Sequence, residues 1–112
     1  MPPTHDPQLL KGVLTLVLLQ LLAEHESDGY EVVQRLHGAG LADVMEGTVY
    51  PALTRLEREG RVTARLVSSN AGPARKYYRP TPAGLAALAV GTANWASLVE
   101  IVGAVLQRPL PT

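Results

Sequence analysis

Apolar residues recur along the chain with two different periods, and the change of period divides it. The run LLKGVLTLVLLQLLAEH begins at Leu9, and between Val13 and Ala23 only Thr15 and Gln20 are polar. A helix covered on nearly every face belongs in a core, so the pattern predicts a central helix from Leu9 to Glu24. The run falls short of the roughly 20 apolar residues of a membrane span and begins beside Lys11. In ESDGYEVVQRLHGAG, Asp28 with Glu31 three residues later resembles a capping box. Val32, Val33 and Leu36 form the stripe of this second helix, and Gly38 and Gly40 end it. In EGTVYPALTRLEREG, residues 46–60, Val49, Ala52, Leu53 and Leu56 keep the i, i+3, i+4, i+7 spacing of a third helix. Pro51 sits among them, where an interior proline costs about 3 kcal/mol. The conflict is relieved if the helix begins near Gly47 or Thr48, because first-turn N–H groups lack an intrahelical partner.

After Gly60 the period changes to two. Val62, Ala64 and Leu66 alternate with polar neighbours, as in a half-buried strand. SNAGP is turn chemistry, and Ala74 to Arg79 can return as a second strand. That strand would carry Arg75, Tyr77 and Arg79 on one face and Lys76 and Tyr78 on the other. A last helix starts with Thr81 as N-cap and Pro82 at its first position, and Pro109 stops it. The expected organisation is a flexible leader over 1–8, a helical domain with a hairpin over 9–80, a helix over 81–108 and a tail over 109–112.

Charge changes the picture more than composition does. The 112 residues carry no net charge, yet residues 1–54 sum to −5 and residues 55–79 to +5. The basic stretch holds Arg55, Arg58, Arg61, Arg65, Arg75, Lys76 and Arg79 against Glu57 and Glu59. A local basic segment suits an anionic partner, although a solvated face is the commoner meaning of a charge run. The absence of cysteine excludes disulfides and thiolate metal sites. His5, His25 and His37 show no ligand-like pairing, so neither a metal nor another cofactor is expected. No nucleophile–base pair is evident and the carboxylates are dispersed, which argues against an enzyme. The opening MPPTHDP lacks the basic region of a secretory signal, in keeping with a cytoplasmic protein.

At about 100° per residue, Thr48, Pro51, Thr54, Arg55 and Arg58 fall opposite the buried stripe of the third helix, with Tyr50 on its flank. A helix start with free N–H groups, small polar residues, a tyrosine and arginines suits phosphates and base edges. With a tight helix before it and a basic hairpin after it, the order describes a mainly α protein with a two-stranded β wing. This is a winged helix-turn-helix followed by one long helix, with the third helix entering the major groove of double-stranded DNA. Winged helices also serve as protein-interaction adaptors; the closeness of Arg75, Lys76 and Arg79 on the hairpin favours DNA.

The segments LLKGVLTLVLLQLLAE, DGYEVVQRL, EGTVYPALTRLEREG and GPARKYYRPTPAG resemble, in order and spacing, the signatures of the PadR family of bacterial transcriptional regulators. The resemblance covers about residues 9 to 84, and the single C-terminal helix is similar to the family's smaller subgroup. It implies a dimeric winged-helix repressor. Carried over by position, it implies DNA contacts by Thr48, Tyr50, Pro51 and Arg55 on the recognition helix and by Arg75 and Lys76 on the wing. Lys11 and Tyr30 fall where backbone contacts are expected. Tyr77 and Tyr78 match paired tyrosines of the return strand, at least one of them open to a packing role. Pro80 departs from the pattern, where leucine is more usual, and puts the strand-to-helix junction in question.

The last helix has Glu100 as its only charge between Thr81 and Leu106. A helix apolar on most sides needs cover on most sides, and the simplest cover is the same helix of a second copy. A membrane anchor is the rival, countered by Asn94 and Glu100 within the stretch and the lack of a flanking Lys/Arg cluster. Trp95, the sole tryptophan, is ordinarily a dimer-core aromatic. Small relatives similar to this chain stack flat aromatic drugs between two symmetry-related tryptophans. The resemblance therefore implies an effector pore at Trp95, lined by Leu98, Val99 and Val102 with Thr15 and Leu16. With few polar groups to orient a ligand, recognition there would be promiscuous.

Overall fold

The computed structural model describes residues 6–112, so most of the expected leader, residues 1–5, lies outside the described residues. From Pro7 the rest of that leader is helical. Helix α1 spans Pro7–Lys11, with Asp6 as N-cap accepting a 2.8 Å hydrogen bond from the Gln8 amide and Pro7 in the first turn. The single helix expected from Leu9 to Glu24 is broken at Gly12–Val13, and α2 runs only over Leu14–Glu24. The break is local: the Val13 amide bonds back to Leu10 and the next helical ladder opens at Val13, whose carbonyl accepts from Val17. Gly12 is the residue with least preference for a helix there.

Strand β1 is the two residues Ser27–Asp28, a pairing not expected from the sequence. Helix α3, Gly29–Gly38, begins directly after it. Asp28 caps it as predicted, its Oδ1 accepting from the Glu31 amide at 2.8 Å. Helix α4 spans Glu46–Arg58, beginning slightly before the expected start at Gly47 or Thr48. Pro51 is therefore its sixth residue, in the second turn, where it removes the bond that would reach back to Gly47. The helix continues because its other face is sealed: Val49, Leu53 and Leu56 are fully buried. Burial of three such side chains contributes roughly 1.5–3 kcal/mol each, which outweighs the proline.

Strands β2, Val62–Ser69, and β3, Gly72–Pro80, form the predicted antiparallel hairpin, turned at Asn70–Ala71. The return strand thus starts at Gly72 rather than Ala74. The sheet is three-stranded in the order β1-β3-β2, with Ser27 opposite Tyr78 and Asp28 opposite Tyr77. Tyr78 enters the core at 6% exposure, whereas Tyr77 is half-buried. Leu66, expected on the buried face, is 72% exposed because the hairpin extends past the helices. Pro80 takes the last position of β3 opposite Val62, where a missing N–H is tolerated. The junction is tied by Thr81, which donates its hydroxyl to the Gly60 carbonyl at 2.6 Å and its amide to Arg61 at 3.0 Å.

The core gathers Leu14, Leu18, Leu19 and Leu22 from α2, Val32, Val33 and Leu36 from α3, the α4 stripe, Val44, Val62 and Tyr78. Helix α5, Pro82–Leu106, starts with Thr81 as cap, its Oγ1 accepting from the Gly84 amide at 3.0 Å. Two glycines let it approach its neighbours. A Cβ on Gly84 would overlap the Arg61 carbonyl, and one on Gly91 would meet Leu16 Cδ1 at 2.7 Å. Beyond them the helix is bare, and Gly84 is its only buried residue. The chain is accordingly elongated, 66 × 34 × 20 Å, with a radius of gyration of 16.6 Å against about 13 Å for a compact domain of this length.

Candidate nucleic-acid interface

The eight residues nominated from the sequence fall on two concavities that flank α4. Lys11, Thr48, Pro51 and Arg55 line one of about 380 Å³ between the α1–α2 break and the start of α4, together with Thr15 and Val44. Tyr30, Tyr50, Arg75 and Lys76 line the other, of about 330 Å³, between the start of α3, α4 and the wing. No side chain caps the N-terminus of α4, whose cap position is Met45. Elements far apart in sequence thus bring polar and cationic groups to both sides of one exposed helix.

Tyr50 is held by a contact invisible in the sequence. Its ring lies against Gly29, where an added Cβ would come within 2.3 Å of Cε1. Only glycine at the first position of α3 leaves room for it. Burial, with Glu46 and Asp28 nearby, pushes the Tyr50 phenol above its ordinary pKa. Tyr77 is raised likewise, by burial first and then by Glu31 and Asp28.

The basic stretch is less free than its composition suggests. Arg75 Nη1 donates to Asp28 Oδ2 at 3.0 Å, and Lys76 Nζ to Glu57 Oε1 at 2.7 Å. Lys76 also lies 5.5 Å from the centre of the Tyr78 ring. Arg55 reaches Glu59 at 3.4 Å, and Arg65 grips both oxygens of Glu26. These hydrogen bonds raise the pKa of Arg75, Lys76 and Arg65 and lower that of Glu26. Asp28 and Glu57 were not nominated. Nothing local marks them as partners of these cations, which lie 47 and 19 residues away.

At the other end of the domain a cavity of about 270 Å³ opens between α2 and α5. Thr15, Leu16, Trp95 and Leu98 all line it. Val99 and Val102 are exposed and do not line it. Arg61 and Asn94, which the sequence did not assign to this site, also line this space. Among the described residues no cluster of His, Cys, Asp or Glu could hold a metal ion.

A short helix pair, an exposed third helix and a β hairpin wing define a winged helix-turn-helix protein. The sequence profile of the Transcriptional regulator PadR-like family matches residues 18–90, and the chain belongs to that family. It is similar to transcriptional regulator Rv3488 of Mycobacterium tuberculosis, with 40% identity over 80 residues, covering 70% of this chain and 71% of the relative. Among solved structures it is similar to a PadR-like transcriptional regulator from Bacillus cereus, at 36% identity and TM-score 0.79, over 91% of this chain and 99% of that one. A PadR family regulator from Eggerthella lenta gives 32% identity and TM-score 0.83, over 91% and 88%. The chain is therefore a DNA-binding transcriptional regulator and not an enzyme.

Proposed function

We propose that the protein acts in the cytoplasm as a dimeric repressor, paired through α5 and released from its operator by a small hydrophobic or aromatic effector. The observation that carries this is the bareness of α5. Val90, Trp95, Leu98, Val99, Ile101, Val102, Val105 and Leu106 are all exposed on one 25-residue helix. Contiguous apolar surface of this extent marks an interaction site, and a second copy is the partner whose matching surface is guaranteed to be present. By length and composition α5 could also cross a membrane, with a mean hydropathy of 1.5. Its first three turns are instead docked on α2 and β3, which supports a role in assembly and no membrane partner.

Pairing through α5 would set two copies of α4 toward half-sites about 34 Å apart. In this arrangement Thr48, Tyr50, Pro51 and Arg55 face base edges and phosphates, Arg75 and Lys76 reach the flanking backbone, and Lys11 and Tyr30 brace it. An effector at Trp95 and Leu98, walled by Thr15 and Leu16, releases DNA only if it favours one dimer geometry over another. In the dimer Val99 and Val102 would join that site from the paired helices.

Selection of bound fragments from the source genome, with light scattering over a range of concentrations, tests the proposal. A dimer that enriches one operator, with affinity falling steeply as salt rises, is expected. A monomer indifferent to genomic DNA at low salt would overturn it.

A further inference from the structure

We propose that Arg61 makes the Trp95 cavity selective for planar organic anions. The inference rests on the effector site proposed above and names the charge class of its ligand. The walls are mostly apolar, from Leu16, Leu19, Ala87 and Leu98; the polar residues lining them are Thr15, Asn94 and Arg61, and Arg61 is the charged one. No carboxylate lies among the described lining residues, so a cationic ligand would meet a like charge with nothing to offset it.

Arg61 differs from the other cations of the basic stretch that sit near a site. Arg55, Arg65, Arg75 and Lys76 are each matched by a carboxylate, whereas Arg61 makes no ion pair among the described residues. Its root is nonetheless held. The Arg61 amide donates to the Leu56 carbonyl at 2.9 Å, and the Arg61 carbonyl accepts from the Thr81 amide at 3.0 Å. Gly60 supplies the turn that makes this possible, at φ +75°. The backbone of Arg61 is thus clamped between the end of α4 and the start of α5, while the residue as a whole stays exposed at the cavity's rim. A flat apolar body against Trp95 and Leu16 with an anionic group toward Arg61 satisfies every surface of the cavity. Arginine suits this task because its planar donors stay charged at any working pH.

Three naphthalenes that differ chiefly in charge test this on the full chain: 2-naphthalenesulfonate, 2-naphthylmethanol and 2-naphthylmethylammonium. The single tryptophan gives one indole N–H resonance, and its shift reports binding. The expected order of affinity is sulfonate, then alcohol, then ammonium, with the sulfonate ahead of the alcohol by roughly three- to tenfold for a partly exposed charged contact. Arg61→Gln should bring the sulfonate down to the alcohol, and Arg61→Lys should restore most of the difference. Equal or tighter binding of the ammonium compound, or an unchanged ratio in Arg61→Gln, would overturn the charge selectivity while leaving the effector site standing. If none of the three moves the indole resonance at saturating concentration, the effector site itself fails and the selectivity with it.

Discussion

Helices α2 and α5 are both apolar on most faces, yet one is sealed and the other bare. In its 11 residues α2 buries Leu14, Leu18, Leu19 and Leu22, while α5 buries only Gly84 in 25. Composition does not separate them; neighbours do. Around α2 stand α3, α4, β3 and the start of α5, whereas α5 packs chiefly on α2 and β3. If the apolar helix left uncovered by its own chain is covered by a second copy, as proposed, its energetics depend on concentration.

The sharpest way to test this contrast is the same truncation at both sites. Leu18→Ala, at a position with 0% exposure, should destabilise the chain by about 2–5 kcal/mol in chemical denaturation. Leu98→Ala, at 53% exposure, should cost under about 0.5 kcal/mol in dilute protein. If Leu98→Ala costs more as protein concentration rises, α5 is buried by a second copy. An equal cost for both substitutions at every concentration would erase the distinction.

Charging the bare helix is expected to separate assembly from folding. Val99→Glu with Val102→Glu should give monomers by light scattering and retain the far-ultraviolet spectrum. Operator affinity should fall on the order of 100-fold, because two half-sites are no longer held together. Unchanged dimers would move the interface away from this stretch of α5.

Smaller effects are expected on the wing. Arg75→Ala should reduce the log–log salt slope of DNA binding by about one, the signature of one lost phosphate contact. Since Arg75 is already held by Asp28 at 3.0 Å, its contact with DNA requires sharing or exchanging that carboxylate. A slope that does not move would leave Arg75 as a brace between β3 and the cap of α3.

The smallest effect concerns pH. The hydrogen bond from Arg65 lowers the pKa of Glu26 below its ordinary 4.5. The folded state therefore binds this proton less readily than the unfolded chain. The stabilising contribution is present above the ordinary carboxylate range and is lost as pH falls through it toward the lowered value. Arg65→Gln should flatten this limb of a stability-versus-pH curve measured by thermal unfolding and leave the curve above pH 6 unchanged in slope.

The elements whose causes are local were legible before the structure. The Asp28 and Thr81 caps, the Val32–Val33–Leu36 and Val49–Leu53–Leu56 stripes and the turn between the hairpin strands depend on residues within a few positions of each other. The break at Gly12 was legible in principle, since glycine inside a helical pattern weakens it, but the strong apolar run on either side masked it. Asp6 followed by Pro7 was likewise an unused start signal. The eight residues proposed for the DNA face were chosen by helical phase and family resemblance. Their carboxylate partners were not, because Asp28 and Glu57 carry no mark of the cations they meet.

By itself, the order of residues determined the succession of helices and hairpin, where most of them begin and end, and which faces are apolar. Those properties arise from hydrogen bonds and side-chain spacings that span about one helical turn or one hairpin. Only the tertiary structure decided that Ser27 pairs with Tyr78, that Tyr78 rather than Tyr77 enters the core, and that Gly29 makes room for Tyr50. It alone decided that four of the seven cations between residues 55 and 79 are already paired and that Arg61 lines the same cavity as Trp95. Each of these is a meeting of side chains distant along the chain, and no local pattern encodes which partner chain closure will bring into contact.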